Sequence, residues 1–146
     1  MINNLFSEDW ALIGTIDPAT RAAGEQLSDA IDMKYWEQVV AVLIIGTHSG
    51  AGIAFTFKSA STSGGSYSAI SGKAITAVGG SPLQSNKQWV IELRNEEVTS
   101  NNEFVKASVT LTGSPSAMIY AVAVFGKGRT KPASDNDLAS VSQIVQ

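Results

Sequence analysis

Residues 36–47 read WEQVVAVLIIGT, and this stretch decides the fold class. β-branched and aliphatic residues dominate it, and no helix cap precedes it, which favours a strand over a helix. We predict a long central strand, buried on both faces from Val39 to Ile45. Residues 48–52, HSGAG, then supply a turn, and residues 53–58, IAFTFK, alternate apolar and small or polar side chains. We therefore predict that the two strands form a hairpin.

Outward from this hairpin, the chain continues as short β-patterned segments separated by Gly, Ser, Pro and Asn. The segments span residues 26–33, 67–70, 73–78, 88–94, 104–112 and 117–125. A single helical turn is predicted at residues 95–98. Several short strands with turn chemistry between them, and no long helical period, are typical of a sandwich or barrel. We predict an all-β fold, an antiparallel β-sandwich that is jelly-roll-like.

The two ends differ from this body. We predict an extended N-terminal arm over residues 1–23, a sandwich over residues 24–126 and a C-terminal tail over residues 127–146, in which Asp135 begins a short helix. Both ends carry apolar residues that no obvious element buries. They fold back onto their own domain or clasp a neighbouring subunit, and the second reading predicts that deleting residues 1–16 leaves a folded domain. The candidate contact residues are Leu5, Phe6, Trp10, Leu138, Val141 and Ile144.

The composition indicates a protein covered by neighbours. Only 16% of the 146 residues are charged, against roughly 25% in typical domains. The net charge is -3 and no long Lys/Arg run exists, so we expect no nucleic-acid partner. The start of the chain does not resemble a secretory signal, and no apolar run approaches the roughly 20 residues of a membrane helix. We expect a soluble protein made in a cytosol, with no membrane partner.

No constellation of residues points to catalysis, a cofactor or a metal. The single histidine, His48, lies in a Ser/Gly turn, and the chain has no cysteine, so neither a triad nor an imidazole or thiolate metal site is predicted. The carboxylates Glu96, Glu97 and Glu103 form a polar loop that we interpret as solvated. We expect that the protein is not an enzyme.

The three tryptophans raise the question of a stacking platform for sugars or bases. Trp36 and Trp89 lie in strand patterns, which favours a place in the core. Trp10 has no such pattern, and we interpret it as an anchor at an interface, since large aromatic residues dominate binding energies there.

Three stretches carry a resemblance to a known family: residues 67–76, YSAISGKAIT; residues 87–97, KQWVIELRNEE; and residues 104–110, FVKASVT. Together with the early Trp-Glu-x-Val strand and the final Ala/Val-rich strand, their order resembles that of small structural proteins of tailed bacteriophages encoded near the major capsid gene. The resemblance spans residues 35–125 and does not extend to the two ends.

This resemblance implies a capsid decoration or cement protein. Such proteins sit on the outside of the shell and bridge neighbouring capsomers. They are commonly jelly-roll-like and often trimeric. The partners implied are the major capsid protein and copies of the chain itself as a homotrimer, and the location is the capsid surface of the virion. Two alternatives stay open: a tail, connector or head-fibre component of the virion, and a carbohydrate-binding module, which predicts an exposed row of aromatic residues on one sheet face.

Overall fold

The computed structural model of the protein describes residues 5–48, 51–77, 85–113, 118–130, 136–137 and 139–145. Within these residues, a short helix, α1 (Phe6–Asp9), precedes nine strands: β1 (Trp10–Arg21), β2 (Gly24–Leu27), β3 (Ile31–Asp32), β4 (Trp36–Ile45), β5 (Ala51–Ala60), β6 (Ser68–Ala77), β7 (Gln88–Arg94), β8 (Phe104–Gly113) and β9 (Met118–Gly128). A 3₁₀ turn (Asn95–Glu97) follows β7, which confirms the helical turn predicted at residues 95–98.

The strands form two antiparallel sheets that pack face to face. One sheet has the order β1-β9-β4-β7, and the other has the order β2-β8-β5-β6, with β3 also pairing to β8. The chain crosses between the sheets at nearly every connection, and β5–β6 forms a hairpin within one sheet. This is the jelly-roll arrangement of a β-sandwich, and the predicted fold class is confirmed.

The core lies between the two sheets, and alternation along each strand supplies it. In β4, Val39, Ala41, Leu43 and Ile45 point inward and are buried. The facing sheet contributes the inward residues of β5 and β8, including Phe55 and Phe57. Trp36 is buried and Trp89 packs against the core, as predicted for both.

The predicted hairpin between residues 36–47 and 53–58 is wrong. β4 pairs with β7 and β9, whereas β5 pairs with β6 and β8 in the opposite sheet. A hydrophobic pattern locates a strand but not its partner, because the same alternation serves a hairpin and a crossover equally well. The two strands flanking Gly72 also merge into one strand, β6, in which Gly72 takes a φ of 74°. The stretch predicted as a strand over residues 26–33 is divided between β2 and β3.

The extended arm predicted for residues 1–23 is also corrected. Residues Trp10–Arg21 form β1, an edge strand that pairs with β9, and Ala11 and Ile16 lie in the core. The register shifts twice along β1, between Leu12 and Gly14 and between Ile16 and Ala19. These irregularities break the period-two pattern and accommodate Pro18, which an edge strand tolerates.

The C-terminal tail begins later than predicted and is not helical where it is described. β9 continues to Gly128, and residues 139–145 contain a turn but no helix. The predicted cap at Asp135 and the residue Leu138 lie outside the described residues. Asp137 Oδ1 instead accepts the main-chain N–H of Ala139 at 3.2 Å, and an isolated helix of such length is marginal in water. Across the described ranges, no helix has the length and apolar character needed to span a membrane.

Candidate interaction surface

The sheet β1-β9-β4-β7 carries apolar side chains on its outer side as well as its inner side. Ile44, Val90 and Ile119 are 46%, 51% and 42% exposed. We call this surface the apolar face and define it by Val40, Val42, Ile44, Val90, Ile119 and Phe125, with Ala121 and Ala123 between them. The prediction that Val39–Ile45 is buried on both faces is therefore wrong on the outer side, where no second layer of this chain covers the described residues.

Strand register arranges this face in rows across the sheet. Ala123, Val42 and Val90 form the central row, and Ala121 pairs with Ile44 in the next row. At the end of the sheet, Gly46 lies against Ile119, and a Cβ at position 46 would lie 3.6 Å from Ile119 Cβ. The small side chains of Ala121 and Ala123 leave a shallow depression in the middle of the face, between the larger residues.

Aromatic rings occupy one corner of the apolar face. Phe6 of α1 stacks on Trp10, with ring centroids 6.1 Å apart and an interplanar angle of 3°. Phe6 also meets Phe125 edge to face at 5.7 Å. Phe6 is 60% exposed, so α1 extends the apolar surface beyond the end of the sheet.

The outer side of the other sheet is polar, with Thr56, Lys58, Lys106, Ser108 and Thr110 along its central strands. We call it the polar face. Its cations are paired: Lys58 forms a salt bridge with Glu25, and Lys106 Nζ lies 4.8 Å from the centroid of the Tyr67 ring. Lys58 and the Ser108 hydroxyl hold the pKa of Glu25 below its ordinary value, because both stabilise the carboxylate. The outer side of this sheet is therefore mainly polar, whereas the outer side of the other sheet combines the apolar face with charged residues such as Glu92 and Lys127 toward one end.

Some main-chain groups at the two free edges of the apolar sheet have hydrogen-bond partners outside the sheet. On β1, Leu12 N–H donates to Asn136 Oδ1 at 3.0 Å, and Leu12 C=O accepts the N–H of Asp137 at 2.7 Å. Asp137 and Ser140 also lie within hydrogen-bond distance of the Thr15 hydroxyl. The tail therefore folds back onto its own domain at this point.

On β7, side chains occupy two of the main-chain groups that face away from β4. Lys73 Nζ donates to Glu92 C=O at 2.9 Å, and Arg94 N–H donates to Glu97 Oε2 at 2.8 Å. That N–H and Lys73, which lies 2.7 Å from the same carboxylate, lower the pKa of Glu97. Unpaired edge groups invite strand addition, and these contacts oppose it.

The predicted contact residues lie at two places. Leu5, Phe6 and Trp10 lie together at the N-terminal end, where Leu5 is 50% exposed and Trp10 is half-buried beneath Phe6. In the tail, Val141 is half-buried and Ile144 is exposed. Leu138 lies outside the described residues. The sequence interpretation did not identify Val90 and Ile119 as candidate contact residues.

Within the part of the chain that the structure describes, the residues considered for catalysis do not come together as a catalytic site. His48 is buried, its main-chain N–H donates to the Ser85 hydroxyl at 3.0 Å, and neither ring nitrogen has a hydrogen-bond partner there. Glu96 and Glu103 line a cleft of about 410 Å³ together with Lys34 and Arg129. Across the described ranges, no cluster of three or more His, Asp or Glu side chains is placed to hold a metal ion.

Comparisons with known proteins show similarity of fold. No family model matches the chain, and no curated protein matches it. Among solved structures, a pilus protein of Bacillus endospore appendages shares 12% identity, with 87% of this chain and 97% of that chain covered and a TM-score of 0.45. A protein of infectious bursal disease virus strain Gt shares 12% identity over 84% of this chain and 33% of that chain, with a TM-score of 0.48.

A third similar structure is the C-terminal family 22 carbohydrate-binding module of Clostridium thermocellum Xyn10B. It shares 12% identity, with 89% of this chain and 98% of that chain covered and a TM-score of 0.40. At such identities, the likeness concerns the fold alone.

Proposed function

We propose that this chain is a virion structural protein that binds the outside of a bacteriophage capsid as a decoration or cement protein and catalyses no reaction. The observation that carries the proposal is the apolar face, on a sandwich whose other face is polar and whose apolar sheet has side chains bound to some of its edge groups. Exposed contiguous apolar surface marks a site of association. The resemblance of residues 35–125 to phage structural proteins selects the capsid as the assembly.

The shell contact is assigned to the apolar face together with its N-terminal corner, where Leu5 and Phe6 are exposed and Trp10 lies beneath them, and to Val141 and Ile144 in the tail. Association stabilises the shell by mass action, because a protein that binds only the assembled, expanded lattice adds its binding free energy to that state. Symmetry repeats each contact over the particle, so modest sites suffice. This mode of action requires no cofactor, nucleic acid or membrane.

Imaging of purified particles tests the location. We expect the chain at regular sites over the whole shell, in contact with the major capsid protein. A ring of six or twelve copies at a vertex, or a fibre base, would contradict the decoration role and favour the tail, connector or head-fibre alternative. Absence from particles would overturn both.

Co-sedimentation of the purified chain with expanded shells tests the contact. We expect Phe6→Ser to weaken binding at least tenfold, because it removes the ring that joins Trp10 to Phe125 at the surface. Lys106→Ser on the polar face is the control and should bind like the parent chain. Equal binding by both variants would move the contact elsewhere.

The aromatic corner also favours a second candidate, a carbohydrate-binding module. Stacked rings on a sheet face suit a sugar ring, although the three rings form a corner and not a row. A glycan array tests it: retention of one sugar class by the parent chain and its loss in Trp10→Ala would favour this candidate over shell binding.

A further inference from the structure

We propose that the tail forms a releasable strap on the outer edge of β1. While the strap is bound, the chain stays monomeric; once the strap detaches, the exposed edge pairs with the β1 edge of a second copy. We define the tail strap by Asn136, Asp137, Ala139 and Ser140. This device acts in the free chain and is independent of the proposed function.

The first half of β1 lacks the usual protection of an edge strand. Residues 10–16, WALIGTI, contain neither a charged residue nor a proline, whereas Asp17, Pro18 and Arg21 lie in the second half. Charged residues and prolines keep edge strands from adding a further strand. Short uncharged segments of high β propensity pair readily with copies of themselves. The first half of β1 therefore depends on another form of protection.

The tail strap supplies that protection at Leu12. The main-chain N–H of Leu12 donates to Asn136 Oδ1 at 3.0 Å, and its C=O accepts the N–H of Asp137 at 2.7 Å. In an antiparallel sheet, a neighbouring strand would take the same two groups of one residue. The tail strap thus holds the position that an added strand would use.

The main-chain donors on either side of Leu12 are held by the body of the domain. The Trp10 N–H donates to the Phe6 C=O of α1, and the Thr15 N–H donates to Asp29 Oδ2 at 3.2 Å. The strap closes the edge between these two contacts, so its release exposes the edge at Leu12.

The tail strap is weakly held. Asn136 and Asp137 are half-buried, and Ala139 and Ser140 are exposed. Because water can replace each of their hydrogen bonds, each bond adds little net stability. Elements held by such bonds open more readily than a packed sheet.

Like charges weaken the strap further. Asp17 Oδ1 lies 3.2 Å from the Thr15 hydroxyl oxygen and Asp137 Oδ2 lies 3.4 Å from it, yet the single proton of that hydroxyl serves one carboxylate at a time. Among the described residues, neither carboxylate forms a salt bridge, and Arg21 donates to the C=O of Asp17. The two charges repel each other, which favours release of Asp137.

A second copy fits the exposed edge because an antiparallel pair of identical strands is self-complementary. With Leu12 opposite Leu12 of the other copy, the two residues exchange both hydrogen bonds across a two-fold axis. Trp10 to Leu12 pair with β9 without a register shift, so β1 is regular where this pairing begins.

A double variant of the full chain, Asn136→Ala with Asp137→Pro, removes both partners of Leu12. At concentrations where it is monomeric, we expect its Leu12 amide to exchange with solvent at least tenfold faster than in the parent, as measured by NMR. In sedimentation at rising concentration, the double variant should shift from monomer to dimer, whereas the parent should stay monomeric.

The edge strand β7 provides the matched control. Lys73→Met removes the bond from Lys73 to the Glu92 C=O at that edge. Because β7 carries the charges of Glu92 and Arg94, which oppose strand addition, this variant should stay monomeric.

A disulfide tests whether closing the strap reverses the association. The hydroxyl oxygens of Thr15 and Ser140 lie 2.9 Å apart, so cysteines at both positions are close enough to form a disulfide, and the chain contains no other cysteine. We add Thr15→Cys and Ser140→Cys to the double variant and oxidise it at low concentration, so that the bond forms within one chain. We expect a monomer when it is oxidised and a dimer when it is reduced.

Each contrary result overturns a defined part of the inference. A double variant that stays monomeric while its Leu12 amide exchanges rapidly overturns the pairing with a second copy. A Leu12 amide that stays protected in the double variant overturns the strap. A dimer that persists after oxidation, or a parent chain that dimerises with its strap bound, overturns the control of association by the tail.

Discussion

Gly126 marks the tightest packing within the sandwich. It lies on the inner side of β9, and a Cβ built there would come within 2.5 Å of Ile13 Cδ1 and 2.6 Å of Trp36 Cε3. Trp36 is 5% exposed and held in the core, so its ring has little freedom to move. The glycine therefore gives the indole room to lie against the central strand.

We predict that Gly126→Ala lowers the free energy of unfolding by about 1–3 kcal/mol, because overpacking forces shifts in a dense core. Gly64→Ala is the control, since its Cβ meets nothing within 4 Å. Urea unfolding followed by tryptophan fluorescence measures both. Equal free energies of unfolding for the two variants would show that the Trp36 ring moves aside to accommodate the added methyl group.

The Tyr120 hydroxyl is a second single group whose surroundings affect the stability of the fold. It is buried without a hydrogen-bond partner among the described residues, and burial raises the pKa of the phenol, while Arg21 nearby opposes that rise. An unsatisfied buried hydroxyl destabilises the folded state.

We predict that Tyr120→Phe leaves the free energy of unfolding unchanged or raises it by about 1 kcal/mol. Tyr67→Phe makes the same chemical change but removes a 2.9 Å bond to the Ser63 carbonyl, so it should lower stability slightly. Denaturant titration compares them. A loss of more than about 1 kcal/mol in Tyr120→Phe would reveal a hydrogen bond to that hydroxyl in solution.

At the scale of elements, cross-strand ionic contacts connect β2 to the centre of the polar face. Glu25 of β2 bridges to Lys58 of β5 and accepts the Ser108 hydroxyl of β8 at 2.5 Å. β2 is short and at the sheet edge, so these side-chain contacts supplement few main-chain bonds.

We predict that this contact makes stability depend on pH. The folded-state pKa of Glu25 lies below its ordinary value of 4.5, so its contribution is complete above that value and is lost as the pH falls through the folded-state pKa. Lys58→Met should flatten this part of the pH dependence, whereas Lys106→Met should not. Thermal melts between about pH 6 and about pH 3 measure it. Parallel curves for the parent and Lys58→Met would refute the assignment.

Strand positions were predicted well and strand partners poorly. The segments that became β7, β8 and β9 carry a period-two pattern strong enough to find without a structure. β1 was missed because Gly14, Pro18 and two register shifts interrupt that pattern. Pairing between β4 and β9 joins residues far apart in the chain, and local sequence carries no information about such a choice.

At the scale of the whole molecule, the expectation that residues 1–16 are dispensable must be revised. Deleting them removes the first half of β1, including Ala11 and Ile16 of the core, and strips the main-chain partners of β9 from Val122 to Lys127. Removing only residues 1–9 leaves β1 intact.

We predict that deletion of residues 1–16 abolishes cooperative thermal unfolding or lowers stability by several kcal/mol, since buried side chains contribute about 2–5 kcal/mol each when truncated. The chain lacking residues 1–9 should melt cooperatively within a few degrees of the parent. Circular dichroism measures both. A stable fold without residues 1–16 would restore the arm interpretation.

The sequence by itself determined that this protein is all-β, where most of its strands lie, and that its apolar content exceeds what one face of each strand needs. Only the tertiary structure decided which of those apolar residues are core and which form an outer face, and that the N-terminal segment is a strand and not an arm. The physical reason is that alternation and hydrophobicity report how strongly a side chain avoids water, whereas long-range pairing decides whether its own chain or a partner covers it.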